Sequence, residues 1–342
     1  MKETIKSITG IASSFIPFSM TEKLHHHRFV VPLYHMVSDN VPVHIKHLYL
    51  PRKIKAFRND MDFFSRHFNV LYPDKFTEYL CGSKPGSQPG FIPTFDDGLR
   101  EVYGIVAPFL YQMGIPAIFF INNDFVDNKG MLFRFKAGIL VEKITSCKSR
   151  ATIGKLAELM GVKVTGKGGL KKRILGISFK EIYLLEKAAD ILELSFSEYL
   201  AVNKPYMDSE QIRELQEKGF IIGAHGRDHQ LLSGLGEDEI IDHVKGSING
   251  INKSFPSALR LFAFPFTDHG IPGKILRKLH DPVSPVVDAS FGTAGLKQDI
   301  VHNHIQRIPM ELPGISASRI LKTQQILSFC RRNCGRDMIT RK

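Results

Sequence analysis

The stretch Gly90 to Leu99, GFIPTFDDGL, constrains this chain more than any other. Phe91, Ile92 and Phe95 are apolar and β-prone and read as a short buried strand; at its carboxyl end two adjacent carboxylates, Asp96 and Asp97, meet Gly98. A helix is expected next, because Val102, Ile105, Val106, Phe109, Leu110 and Met113 recur at helical spacing. Two acids at the end of a buried strand are costly unless a metal or hydrogen bonds compensate them. Neighbouring side chains of a strand point to opposite faces, so one pocket can hold both acids only if the chain twists, which Gly98 permits. An acidic turn capping the next helix would use the same residues, and this stretch alone does not choose between the two.

A second stretch, Phe220 to Leu232 (FIIGAHGRDHQLL), repeats the layout of an apolar strand followed by polar residues. His225 and His229 are four apart, so a helical turn would put both imidazoles on one face. One carboxylate and two neutral imidazoles suit a divalent transition metal that keeps a position open for water. Between the two stretches, Ala117 to Ile121 (AIFFI) reads as a strand that follows strand and helix, an order that argues for a parallel sheet.

Thr94-Phe95-Asp96-Asp97-Gly98 and His225-Gly-Arg-Asp-His229 resemble the first two motifs of polysaccharide deacetylases, the NodB-homology domain of carbohydrate esterase family four. The resemblance runs along most of residues 28–311. It implies an α/β fold: an irregular (β/α) barrel of about seven parallel strands, with the site at their carboxyl ends. It also implies a hydrolase removing acetyl groups, N-acetyl and with the same site O-acetyl, from a sugar in a glycan or its precursor. In that reading Asp97, His225 and His229 hold a divalent ion, zinc first, with cobalt or manganese as alternatives. Asp96 serves as general base to a water that the metal has acidified from about 16 to roughly 7. Asn122 to Asp124, at the end of the Ala117 strand, are candidate pocket-liners, Asn122 above all, although turn chemistry explains them as well. Leu261 to Pro265 (LFAFP) resembles the third motif in a form ending in an aromatic-Pro pair, which places Pro265 at the substrate.

The chain departs from the family pattern at three places. Gly226 stands where Ser or Thr is usual. The Arg that precedes the Pro of the third motif, and normally orients a catalytic acid, is absent; Arg260 lies at the other end of that strand. The histidine that protonates the leaving amine has only His302 and His304 as local candidates, both read as surface residues, while Asp268 reads as a turn residue. His35, ending the strand Phe29 to Tyr34, reads equally as a pocket residue or a hydrogen-bonded core residue.

Around the barrel of residues 29–311, three additions are expected. Residues 1–28 form an extension whose apolar run Ile8 to Phe18 is too broken for a secretory signal, followed by His25-His26-His27, read as a solvated run. Residues 130–206 form a basic helical insertion with a Gly/Lys-rich joint at Thr165 to Lys172. Residues 312–342 carry seven Lys/Arg against one Asp and read as a basic amphipathic helix, docked on the barrel, a partner or a membrane surface. The net charge of +12 favours anionic surroundings, and no nucleic-acid motif accompanies it. Cys81, Cys147, Cys330 and Cys334 are too few and too scattered for a disulfide framework. Together these features suggest a cytoplasmic or membrane-peripheral protein without a membrane-spanning run. Two other function classes use part of the pattern: a glycoside hydrolase with paired carboxylates, which leaves the histidines idle, and a degenerate family member that binds glycan or metal without turnover.

Overall fold

Short apolar segments, each followed by polar residues and then a helix, assemble into a parallel barrel in the computed structural model, which describes residues 16–24, 26–82, 89–163 and 166–341. In chain order the strands are β1 (Phe29–Val30), β2 (Pro32–Tyr34), β3 (Asn69–Val70), β4 (Gly90–Phe91), β5 (Thr94–Phe95), β6 (Ile118–Ile121), β7 (Ile221–Ala224), β8 (Leu261–Ala263), β9 (Ala289–Gly292), β10 (His304–Gln306) and β11 (Ile308–Pro309). The main sheet has eight strands in the order β10-β9-β8-β7-β6-β5-β2-β11, and every pair in it is parallel. A small sheet, β1-β4-β3, lies at the amino ends of the barrel strands.

Two expected strands are each split in two. Phe29 to Tyr34 divides at Val31, and Gly90 to Phe95 divides at Ile92-Pro93, where proline offers no N–H to a ladder. The first half of each joins the small sheet and the second half the barrel. The eighth strand, one more than expected, arises the same way. The segment His304 to Pro309 is one run in sequence, but β10 pairs with β9 and β11 pairs with β2, at opposite edges of the sheet. One residue, Arg307, joins them, so this segment closes the ring.

Alternation along the strands sorts the apolar residues into two sets. Ile118 and Phe120 of β6, Leu261 and Ala263 of β8, and Ala289 and Phe291 of β9 fill the barrel interior. Phe119, Phe262 and Phe264 face outward into the layer of helices. The helix after the Asp-Asp pair opens as a π-helical turn, Val102–Val106, before the α-helix Ala107–Met113; π turns recur beside functional sites.

Among its described residues the insertion, residues 130–206, holds five α-helices, Phe133–Ser146, Arg150–Leu159, Lys167–Leu175, Tyr183–Ile191 and Phe196–Asn203. The expected Gly/Lys joint is therefore largely helical: Lys167–Leu175 forms a helix in spite of Gly168 and Gly169, held by the burial of Leu170 and Ile174, while Thr165 lies outside the described residues. The tail helix Ala317–Asn333 packs Ala317, Ile320 and Leu321 on the protein, against the helices Ile54–His67 and Phe18–Glu22. The chain then runs back along the barrel, where Met338 pairs with Gln298. The apolar run Ile8 to Phe18 falls mostly, and His25 wholly, outside the described residues. His26 and His27 are half-buried and hydrogen-bonded, unlike the solvated run expected. All four cysteines are free.

Candidate active site

The strand ends bring the two acids together through backbone conformation. Beyond β5, Asp97 has φ 74° and Gly98 φ 66°, so the twist expected of the glycine is shared by an aspartate in the left-handed region. Such a residue stores about 1–3 kcal/mol and persists only where its surroundings impose it. Beyond β7 the expected helical turn is absent. The chain instead makes an irregular bend with φ 75° at Gly226 and 59° at His229, and this bend delivers both imidazoles to one point.

Asp97, His225 and His229 are all buried and each presents one ligand-type atom, all within 4.8 Å of one another. His229 Nε2 lies 3.1 Å from Asp97 Oδ1, and His225 Nε2 lies 3.5 Å from the same oxygen. His225 directs its Nδ1 to the Ala263 carbonyl at 2.9 Å, which fixes that nitrogen as the donor and leaves a lone pair on Nε2. Both His225 Nε2 and Asp97 Oδ1 are buried and make no hydrogen bond. Burial drives the His225 imidazole to its neutral form, down to about 4. Burial would raise the Asp97 carboxyl, but His229, His35 and His225 outweigh it and hold it well below the usual carboxylate range. An ionised carboxylate and imidazole lone pairs converging on one point without hydrogen bonds fit a divalent ion.

Asp96 stands beside this cluster, its Oδ2 3.6 Å from His225 Nε2. Its partner is a residue that sequence reasoning missed. Arg307 rises inside the barrel over Phe120 and Phe291 and grips Asp96 with both arms, Nη1 to Oδ1 at 2.6 Å and Nη2 to Oδ2 at 2.8 Å. Burial favours the neutral Asp96 carboxyl, but Arg307 and His225 reverse this and hold it below its ordinary value. Arg260, by contrast, pairs with Asp288 away from the site.

His35 follows β2 at the level where Asp96 follows β5, since Tyr34 and Phe95 are in register. Its Nδ1 meets Glu311 Oε2 at 2.6 Å, and the other Glu311 oxygen accepts from the backbone N–H groups of His35 and Met36. Burial pushes the imidazole toward neutrality, but Glu311 together with Asp97 and Asp96 raises it to about 10.

The remaining expected residues take varied places. Asn122 is buried and its amide donates to the carbonyls of His225, at 2.5 Å, and Gly226, at 3.3 Å; it holds the bend that carries the histidines. Pro265 is buried against that bend, and a Cβ on Gly226 would come 3.0 Å from Pro265 Cγ and 3.2 Å from His243 Nε2. Next to it, Phe266 (φ 59°) is 40% exposed and stands edge-on over His229, with centroids 4.4 Å apart. The insertion reaches this ring from its first helical turn through Phe133 at 6.1 Å and the Arg134 guanidinium at 5.8 Å.

His304 is a correction. It is fully buried on the outer face of the sheet rather than on the surface, with Nδ1 on Ser290 Oγ at 2.6 Å and Nε2 on Asp268 Oδ2 at 3.0 Å. Both nitrogens are spent, so it has no free edge to offer a substrate. Asp268, expected as a turn residue, is buried in the same network with Gln306 and Arg341. His302 is exposed and pairs with Arg28.

No curated protein matches the sequence. Among solved structures, the fold is similar to the deacetylase PplD of Streptococcus pyogenes in complex with acetate, at a TM-score of 0.54 and 13% identity over 88% of this chain and 99% of that one. It is similar to a de-N-acetylase from Aggregatibacter actinomycetemcomitans at 0.52 and 13%, covering 87% and 100% of the two chains. Likeness to IcaB from Ammonifex degensii stands at 0.50 and 17%, covering 88% and 98%. Among the described residues no helix is long and apolar enough to cross a membrane. The polysaccharide deacetylase family model matches residues 83–276, more than half of the sequence, and the chain belongs to that family of hydrolases, which cleave carbon–nitrogen bonds other than peptide bonds to deacetylate glycans.

Proposed function

We propose that this protein is a metal-dependent N-deacetylase of an acetylated glycan or glycan precursor. The observation that carries the reading is the convergence of buried Asp97, His225 and His229, with Asp97 Oδ1 and His225 Nε2 making no hydrogen bond, beside a paired Asp96. Asp97, His225 and His229 would hold the ion, zinc first and cobalt or manganese as alternatives. When bound there, it would supply Lewis-acid chemistry, acidifying a water and polarising the acetyl carbonyl.

The protein's own groups then divide the proton transfers. Asp96, ionised and locked by Arg307, takes a proton from the attacking water as its oxygen bonds to the acetyl carbon. His35, kept protonated by Glu311, donates to the sugar nitrogen as the carbon–nitrogen bond breaks, giving acetate and the free amine. This fills the acid role that the sequence left open. Arg307 likewise takes the orienting role left vacant ahead of Pro265, which supports turnover over binding alone. Asn122 and Pro265 support the histidine bend, and Phe266 offers the exposed face on which a sugar ring stacks.

Acetate release from chitooligosaccharides and O-acetylated xylan tests the reading, using metal-stripped protein with zinc, cobalt or manganese restored, beside Asp96→Asn and His225→Ala. Release that depends on metal and is lost in both variants is the expected result. Metal bound through His225 with no acetate from any substrate would put the binding reading ahead.

A further inference from the structure

We propose that His26, His27 and Asp337 form a second divalent-metal site, of the zinc class, that clips the segment before β1 to the carboxyl-terminal tail. One ligand atom from each residue lies within 4.8 Å of the others, although Asp337 is more than three hundred residues away in sequence. The two imidazoles are held close together, with centroids 4.4 Å apart and planes tilted by 35°.

The donor set has the support that a metal site needs. His26 Nδ1 meets the Leu24 carbonyl at 3.2 Å, which makes it the donor and turns the Nε2 lone pair toward Asp337 Oδ2, 2.8 Å away. A lone pair facing a carboxylate requires either a proton or a cation between them. The second Asp337 oxygen is oriented by Ser328 Oγ at 3.1 Å, and the same hydroxyl lies 3.0 Å from His27 Nε2. Both sides of the carboxylate are therefore positioned, and outer partners of this kind fix ligand tautomer and direction. The histidines also line a cavity of about 270 Å³, which gives solvent and ions a route to the open coordination positions. Two imidazoles and one carboxylate match zinc, with nickel and copper competing in the usual affinity order.

This site is independent of the one proposed for catalysis, and the test keeps the two apart. Full-length, chelator-stripped protein is titrated with Zn(II) by calorimetry and with Co(II) by visible absorption, in wild type, His225→Ala, His26→Gln and Asp337→Asn. His26→Gln and Asp337→Asn are half-buried polar changes, and circular dichroism of the metal-free variants confirms folding. The expected result is one equivalent that survives His225→Ala and disappears in both His26→Gln and Asp337→Asn. In His225→Ala, zinc should also raise the melting temperature, and adding His26→Gln should abolish that shift. If no equivalent is removed by His26→Gln or Asp337→Asn, the assignment is overturned. Failure of the catalytic metal would instead appear as the lack of an equivalent sensitive to His225→Ala.

Discussion

Arg307→Met is the sharpest test of the pair inside the barrel. Arg307 is 0% and Asp96 2% exposed, and two charge-assisted hydrogen bonds of 2.6 and 2.8 Å join them. A hydrogen bond to a charged group contributes about 1.5–3 kcal/mol, and removing one partner of a buried ion pair costs about 3–5 kcal/mol. We therefore expect a loss of about 4 kcal/mol at neutral pH, which a typical stability of about 5–15 kcal/mol can absorb. The loss should be pH-dependent. In the native protein Asp96 is held below its unfolded value, so its stabilisation is present above the unfolded carboxyl's pKa and disappears as pH falls through the lower, folded value. In the variant the unpaired, buried carboxyl takes up a proton at higher pH. The difference between the two proteins should begin to narrow there and close only in strong acid. Urea unfolding followed by circular dichroism at a series of pH values measures this, with Asp96→Asn/Arg307→Met alongside. The double variant should be more stable than Arg307→Met alone, because it no longer buries an unpaired charge. A pH-independent loss, or a double variant at the sum of the single ones, would refute the argument.

Three further outcomes follow from the same geometry. Glu311→Gln removes the charge that holds His35 at about 10, so the alkaline limb of kcat/KM should move to lower pH while the acid limb, set by Asp96, stays; an unmoved alkaline limb would exclude His35 as the acid. Gly226→Ser restores the residue usual in the family, but at φ 75° and against Pro265 and His243 it should destabilise by about 1–3 kcal/mol, read by urea unfolding. Phe266→Ala should raise KM several-fold with little change in kcat, as follows from the proposed stacking of a sugar ring on its exposed side chain; an equal fall in kcat would give it another role.

The metal-ligand candidates were legible because each pair sits within one short motif at one strand end. Arg307 and Glu311 were not, since they meet Asp96 and His35 across separations of 211 and 276 residues. Only closure of the ring brings them there, and no local periodicity encodes it. His304 was misread for a related reason. A histidine beside exposed His302 looks like a surface residue, yet Asp268, which follows β8, covers it on the outer face of β10 and is itself paired with Arg341 of the returning tail. The split strands show the limit of pattern reading. Pro93 was visible, but nothing in the sequence shows that the halves on either side belong to different sheets. The insertion was legible as helical, whereas its reach to Phe266 depends on how its first turn is aimed.

The single residue that bridges the two edges of the barrel has a consequence for the order in which this protein becomes an enzyme. The bend with the histidines and the Asp-Asp turn depend on β5, β6 and β7, which are central and neighbouring strands. Arg307, the partner of Asp96, depends on the last barrel segment pairing at both edges at once, a long-range step that carries a large loop-closure cost. Turnover is thus gated by completion of the architecture: a ribosome-bound or partly opened chain would carry its ligand cluster but lack a seated base. Acetate release in a refolding time course should lag behind the recovery of helical signal, making hydrolysis a reporter of ring closure rather than of collapse.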